Sequence, residues 1–318
     1  MPWYEMPYRR FKQIEGKENG MFYTIQTPKS KAVLSTYGGE MHSYSHVDAD
    51  GENAYLWSGD RRFWSEHAPV LFPVVCTPKD MKMAHDGVEY PMMKHGFAST
   101  SEFTPVLQTP DTVAFALEES ADSLAMFPFR FRLENRYTVT DTGFSAAFTV
   151  TNRDSRPMTY CIGGHPGFRL PLYAGDRFSD YDLVFTDASG AYVTGTANGL
   201  MDPNLPHLDK IHGNVMALSY DTFGGDTLII QNLPVKQVRL VNRYTGRGIL
   251  FTFDGLEVLG LWTMSDEHSP FVCLEPWNGL PASSDETTDA RSKKYARTIT
   301  PGSSHTVNYS VNVIPGTR

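Results

Sequence analysis

Apolar residues along this chain recur mostly with a period of two. In FRLENRYTV, Phe131, Leu133, Tyr137 and Val139 alternate with polar neighbours, Asp141-Thr142-Gly143 reads as a turn, and Phe144, Ala146, Phe148 and Val150 resume the alternation. This is the pattern of a β-hairpin with one buried face. VRLVNRYTGRGILFTF repeats the arrangement around Thr245-Gly246, and TVNYSVNV at 306–313 places Val307, Tyr309, Val311 and Val313 on one face. Shorter strand signals lie at Tyr23–Ile25, Val113–Leu117 and Asp182–Phe185. No segment carries a long helical period, and the best helix candidate is the short polar stretch Asp285–Ala296. The pattern predicts an all-β chain. Strand signals run from one end to the other without a linker or a composition break, which predicts a single antiparallel β-sandwich domain over 1–318. Irregular stretches at 57–70 and 190–213, rich in Trp, Asn, Gly and Pro, are expected to be rim loops that carry binding residues.

Composition narrows the partners. With 318 residues and 41% hydrophobic content the chain is long enough to bury a large core and is not a disordered polymer. A net charge of −8 without a dense Lys/Arg block argues against nucleic acid or an anionic membrane surface, and favours a small neutral ligand. Cys76, Cys161 and Cys273 are odd in number and form no CxxC pair, so no disulfide framework is expected. Residues 1–20 contain no apolar run like a signal-peptide core, and no stretch reaches the length of a membrane span. A soluble cytoplasmic protein, monomeric or homodimeric, is the expectation.

Three segments concentrate the chemistry. In SPFVCLEPW the alternation puts Phe271, Cys273 and Glu275 on one strand face and Val272 and Leu274 on the other, while Pro276 biases Glu275 to an extended conformation. A carboxylate on an apolar face needs a partner, because burial alone raises its pKa. A surface glutamate at a strand end is the alternative. His165 lies in GGHPGF, whose glycines leave room for a ligand to approach the imidazole closely, or simply form a turn. Taken alone, His95 in KHGFAST reads as a packed core histidine. Trp57, Trp64, Trp262 and Trp277 each sit beside Gly, Asp, Asn or another polar residue, a setting that suits stacking on a sugar face and equally suits packing. There is no GxSxG, HExxH, P-loop or dinucleotide fingerprint. His67, His85 and His95 match no standard metal-ligand spacing, so no metal is expected.

Taken in order, YLWSGD, PVLFPVV, GVEYPMMKHGFA, FPFRF, GGHPGF, GDTLII, LGLWT and FVCLEPWNG resemble the aldose 1-epimerase, or galactose mutarotase-like, family, and more narrowly its bacterial branch of aldose epimerase relatives. The resemblance runs from about residue 30 to the C-terminus. It implies a large β-sandwich of the mutarotase supersandwich type that binds a monosaccharide on a concave face and interconverts its anomers without a cofactor. It also implies Glu275 as the base that takes the anomeric proton, His165 as the acid at the ring oxygen, and His95 as a second histidine there. Asp226 in GGDTLII corresponds to a sugar-hydroxyl ligand, with an Asx turn as the alternative. Trp57, Trp262, Trp277 and Lys79 are further candidates for substrate binding. The mechanism asks for an ionised glutamate and a protonated histidine facing each other across a sugar-sized gap.

Two positions depart from the branch. Cys76-Thr77 follows PVLFPVV where an arginine is usual, and Ser99 stands where an arginine follows HGFA. Lys79, Lys94, Arg61 and Arg62 are the cations available to compensate. A carbohydrate-binding protein that keeps the cleft without turnover is the alternative to an enzyme.

Overall fold

The computed structural model describes residues 20–49, 51–196, 199–225 and 227–316. The alternating run at 131–152 forms the expected hairpin, strands Phe131–Thr140 and Gly143–Asn152, in register from Phe131 opposite Asn152 to Thr140 opposite Gly143. Gly143 is dictated by the next strand: a Cβ there would lie 1.8 Å from the Val311 carbonyl oxygen, blocking the pairing with Ser304–Ile314. The second hairpin joins Gln237–Asn242 to Gly248–Asp254 through a turn in which the Asn242 side chain accepts from the Tyr244 and Thr245 amides. Both hairpins and the strand Ser304–Ile314 belong to one nine-stranded antiparallel sheet, which also takes in the predicted strands around Val113 and Leu183.

A seven-stranded sheet packs on this one. Its main path runs Tyr192–Thr194, Leu228–Gln231, Val258–Trp262, Phe271–Asn278, Ile162–Gly164 and Val70–Leu71, with Gly167–Arg169 also paired to Phe271–Asn278. The sheets meet closely where Gly164 leaves space filled by the rings of Tyr309 and Phe148, and where Phe168 meets Phe251 at 6.0 Å between centroids. A four-stranded N-terminal sheet, Phe22–Ala54, packs Tyr44 on Phe144 and Tyr23 on Phe115. Because one face of each strand enters this shared interior, a continuous buried cluster takes residues from Ile25 to Val311. The architecture is the all-β antiparallel one that the alternation predicts.

The helix expected at Asp285–Ala296 does not form: only a 3-10 turn, Ala290–Ser292, is present there. Tertiary contacts claim the segment first. The Ala84 amide donates to the Thr288 carbonyl, the Thr288 hydroxyl donates to Glu89, and within the segment the buried Lys293 ammonium reaches the Glu286 carboxylate at 2.7 Å. Two four-residue helices occur instead among the described residues, Ala121–Leu124 and Tyr220–Phe223, each opened by a serine capping box at Ser120 and Ser219. Residues 57–69 are largely irregular, as expected, while 190–213 contains the short strand Tyr192–Thr194. No described helix is long and apolar enough to cross a membrane. The N-terminal stretch 1–19 and Asp226 lie outside the described residues.

On its outer face the seven-stranded sheet carries a second apolar cluster, in which Trp277 packs with Leu71, Val75, Cys161, Ile229 and Val258. The indole lies across Gly260, where an added Cβ would sit 2.4 Å from Cη2, and against Gly163, where it would sit 2.6 Å from Cδ1. Gly260→Ala should therefore displace a fully enclosed ring and cost about 1–3 kcal/mol, measured as a lower midpoint of urea unfolding; an unchanged midpoint would show that the ring yields freely.

Candidate active site

Glu275 lies inside the strand Phe271–Asn278, which continues through Pro276 rather than ending at the carboxylate. Val272 and Leu274 point into the main core, whereas Phe271, Cys273 and Glu275 share the outer face, as the alternation predicts. The neighbouring chain segment pairs with this strand on both sides of His165: Gly163 stands opposite Trp277 and Gly167 opposite Cys273. Counting inward from these two pairs sets His165 directly across from Glu275. Between them the ladder is interrupted, because Pro166 has no N–H and the His165 amide donates to the Pro69 carbonyl instead. On the other side of Glu275 the facing residue is Gly260, and the room its missing side chain leaves is taken by the Trp277 indole. Cross-strand neighbours of this kind hold their Cβ atoms roughly 5 Å apart, and the outcome is a His165 Nε2 to Glu275 Oε2 contact of 3.0 Å.

This contact corrects one expectation. The two groups do not face each other across a sugar-sized gap but touch directly. Their electrostatics also run opposite to the ionised glutamate and protonated histidine asked for by the mechanism. Burial raises the Glu275 carboxyl to about 8, opposed by the positive charge of Lys94, and burial, with Lys94 adding to it, lowers His165 to about 3. Both groups are thus driven toward their neutral forms at pH 7, with one proton between them. Glu275 Oε1 and His165 Nδ1 are buried and have no protein hydrogen-bond partner.

His95 borders this pair. Its ring meets that of His165 edge-on at 5.5 Å between centroids. Its Nδ1 accepts from the Cys76 amide at 3.1 Å while its own amide donates to the Cys76 carbonyl at 3.0 Å. An accepting Nδ1 places the ring proton on Nε2. Holding the histidine this way costs backbone strain, since φ is 65° at His95 and 57° at Cys76. Burial, then Lys94 and His165, push its pKa well below the ordinary histidine value, so the ring is neutral.

An aromatic wall completes the arrangement. Half-buried Trp64 and Trp262 approach the His165 ring at 5.0 and 5.9 Å, and both pack on Phe271. Trp57 is buried behind them, its indole N–H donating to the Trp64 carbonyl at 2.7 Å, so it supports the wall rather than presenting a face. Trp277 is 0% exposed and is likewise framework. Lys79 is half-buried and bonded to the Ser284 carbonyl, and it has no resolved influence on Glu275. The cation whose field reaches Glu275, His165 and His95 is Lys94, next in sequence to His95. Ser99 packs its carbonyl near Gly38, and Thr77 accepts from the Ala282 amide. Sequence reasoning weighed Lys94 only as one of several cations and left Trp64 out of the binding set; the shared polar setting of four tryptophans could not rank them.

Among the described residues two groups have the donors for a metal ion: His165, Cys273 and Glu275 here, and Glu40, His42 and His67 elsewhere. The three histidines weighed from sequence do not assemble, since His85 packs among Tyr90, Phe127 and Phe129 while His95 sits at the Glu275 pair. Pockets of about 350 Å³, lined by Phe178, Tyr220 and His268, and about 500 Å³, lined by Tyr192, His207 and Lys294, lie apart from Glu275 and His165.

Comparison with known proteins agrees with the fold. Protein LacX of Lactococcus lactis subsp. lactis is 29% identical over 291 residues, covering 88% of this chain and 95% of that protein. A galactose mutarotase-like protein from Lactobacillus casei superposes with a TM-score of 0.86 at 29% identity, over 92% of this chain and 100% of its own. A galactose mutarotase related enzyme from Lactobacillus acidophilus does so with a TM-score of 0.85 at 27% identity, over 93% and 98%. The sequence profile described as Aldose 1-epimerase matches residues 21–299, and the chain belongs to the aldose 1-epimerase family.

Proposed function

We propose that this protein is a cofactor-independent mutarotase that opens and recloses the ring of an aldose or a closely related sugar, with Glu275 and His165 as its acid–base couple. The observation that carries this reading is the buried 3.0 Å contact between the two groups, each retaining an unpartnered polar atom. Ring opening needs one proton removed from the anomeric hydroxyl and one delivered to the ring oxygen as the C1–O5 bond breaks. A couple holding a single proton provides both a lone pair and a donor, and returns to the same proton count when the aldehyde recloses on its other face. Neither a free alkoxide nor an oxocarbenium ion accumulates. His95 Nε2–H adds a neutral donor toward the ring oxygen, and the half-buried faces of Trp64 and Trp262 suit the apolar C–H side of a pyranose.

Replacing Glu275 by Gln keeps the shape and removes the transferable proton. In Glu275→Gln, anomer exchange followed by polarimetry or NMR should fall by about 10²–10⁴-fold, with saturable sugar binding retained; exchange at the parental rate rules out the assignment. A parent that binds sugars but accelerates exchange of none in a broad panel would instead identify a carbohydrate-binding protein using the same cleft.

The pH dependence follows from the same couple. Above about pH 8 Glu275 is ionised beside a neutral His165, and the couple has lost its acidic proton, leaving only weakly acidic imidazole N–H groups at the ring oxygen. Turnover should therefore decline as pH rises through that value. Lys94 favours the carboxylate, so Lys94→Met should move the declining limb to higher pH. A profile flat to pH 10, or a limb that Lys94→Met shifts downward, contradicts this account.

A further inference from the structure

A second cluster of polar side chains, one buried and two half-buried, lies outside the Glu275 couple. Glu40 opens the strand Glu40–Asp48, His42 follows two residues later, and His67 comes from the irregular stretch 57–69. The His42 and His67 rings stack at 4.2 Å between centroids. Their nitrogens converge on one oxygen: His42 Nε2 lies 3.4 Å and His67 Nδ1 3.6 Å from Glu40 Oε1. Both distances exceed an ordinary hydrogen bond. They match the ligand-to-ligand edge of a tetrahedron with metal–ligand bonds of ~2.1 Å, which is about 3.4 Å, and the two rings, stacked face to face, must rotate for both in-plane lone pairs to reach one ion.

The surroundings call for a cation. Glu40 is 8% exposed, and its second oxygen, Oε2, has no hydrogen-bond partner; the Ala68 amide is near enough to act on the carboxyl electrostatically without bonding geometry. His67 Nδ1 is also buried without a hydrogen-bond partner. Among the described residues no lysine or arginine pairs with Glu40. A buried carboxylate with no cation beside it is expensive to ionise. The site remains reachable, since the side chains of His42 and His67 are 26% and 16% exposed.

We propose that Glu40, His42 and His67 form a binding site for a divalent transition-metal ion of the Zn²⁺ class, three protein ligands with a fourth position open to water. Two imidazoles and one carboxylate exclude Mg²⁺ and Ca²⁺ as preferred occupants, because those ions take mostly oxygen ligands. The ion ties the stretch 57–69 to the N-terminal sheet. That stretch also carries Trp64, which lies against His165, and the His67 carbonyl, which accepts from the Gly167 amide. Metal binding therefore braces one wall of the Glu275 site from behind without entering it.

The test uses the full chain without an affinity tag, titrated with ZnCl₂, CoCl₂ and MgCl₂ by calorimetry and thermal unfolding. Expected are one tight equivalent of Zn²⁺, a higher unfolding temperature, and no such response to Mg²⁺. His42→Phe keeps a ring between Phe22 and His67 and removes one ligand, so it should fold, with Zn²⁺ affinity reduced about tenfold or more. Cobalt bound here should give visible bands of tetrahedral intensity without a near-ultraviolet thiolate band, whereas binding at His165, Cys273 and Glu275 would show that band and be lost in Cys273→Ser. Absence of saturable Zn²⁺ binding, equal affinity in His42→Phe, or loss in Cys273→Ser alone overturns the proposal.

Discussion

Everything distinctive about this molecule depends on one cross-strand pair, the carboxyl of Glu275 set against the imidazole of His165 in a desolvated part of the sheet. In water such a pair would ionise. Here burial disfavours both charged forms, raising the acid and lowering the base until the titratable proton rests on the carboxyl rather than on the imidazole. Lys94 is the counterweight: at the rim rather than in the interior, it pulls the carboxyl part of the way back without neutralising it.

The surrounding structure maintains this imbalance. Phe271, Cys273 and the indoles of Trp57, Trp64 and Trp262 form an apolar collar next to the pair, and the buried thiol of Cys273 stays protonated because burial and the Glu275 charge both push its pKa up. Trp277 serves the same end from the next position on that face, resting on Gly163 and Gly260, the two glycines on the strands that flank Glu275. His95 is fixed by two hydrogen bonds to Cys76 in a left-handed backbone conformation, a strain sustained only because the neighbouring bridge from Phe72 to Gly96 holds the segment.

How much of this was legible varied with the range of the interaction. Strand alternation is local, so both hairpins, the buried faces at Phe144–Val150 and Val307–Val311, and the outward position of Glu275 could be read directly. The supposed helix at Asp285–Ala296 failed because Ala84 and Glu89 claim the carbonyl and the hydroxyl of Thr288 through contacts that no local window contains. The tryptophans divided for the same reason. All four have similar neighbours in sequence, but Trp277 and Trp57 lie under the surface of the site while Trp64 and Trp262 line it.

The sequence by itself determined the fold class and the family through its motifs, and it singled out the acid and the histidines proposed here for the chemistry, since residue type and period two are properties of short stretches. Only the tertiary structure decided that Glu275 and His165 touch, that both are driven toward neutrality, that His95 presents its Nε2 proton, and that Lys94 rather than Lys79 is the cation whose field reaches the pair. Register between strands far apart in the chain fixes the contact, and burial fixes the proton. Neither burial nor register exists until the sheets have packed.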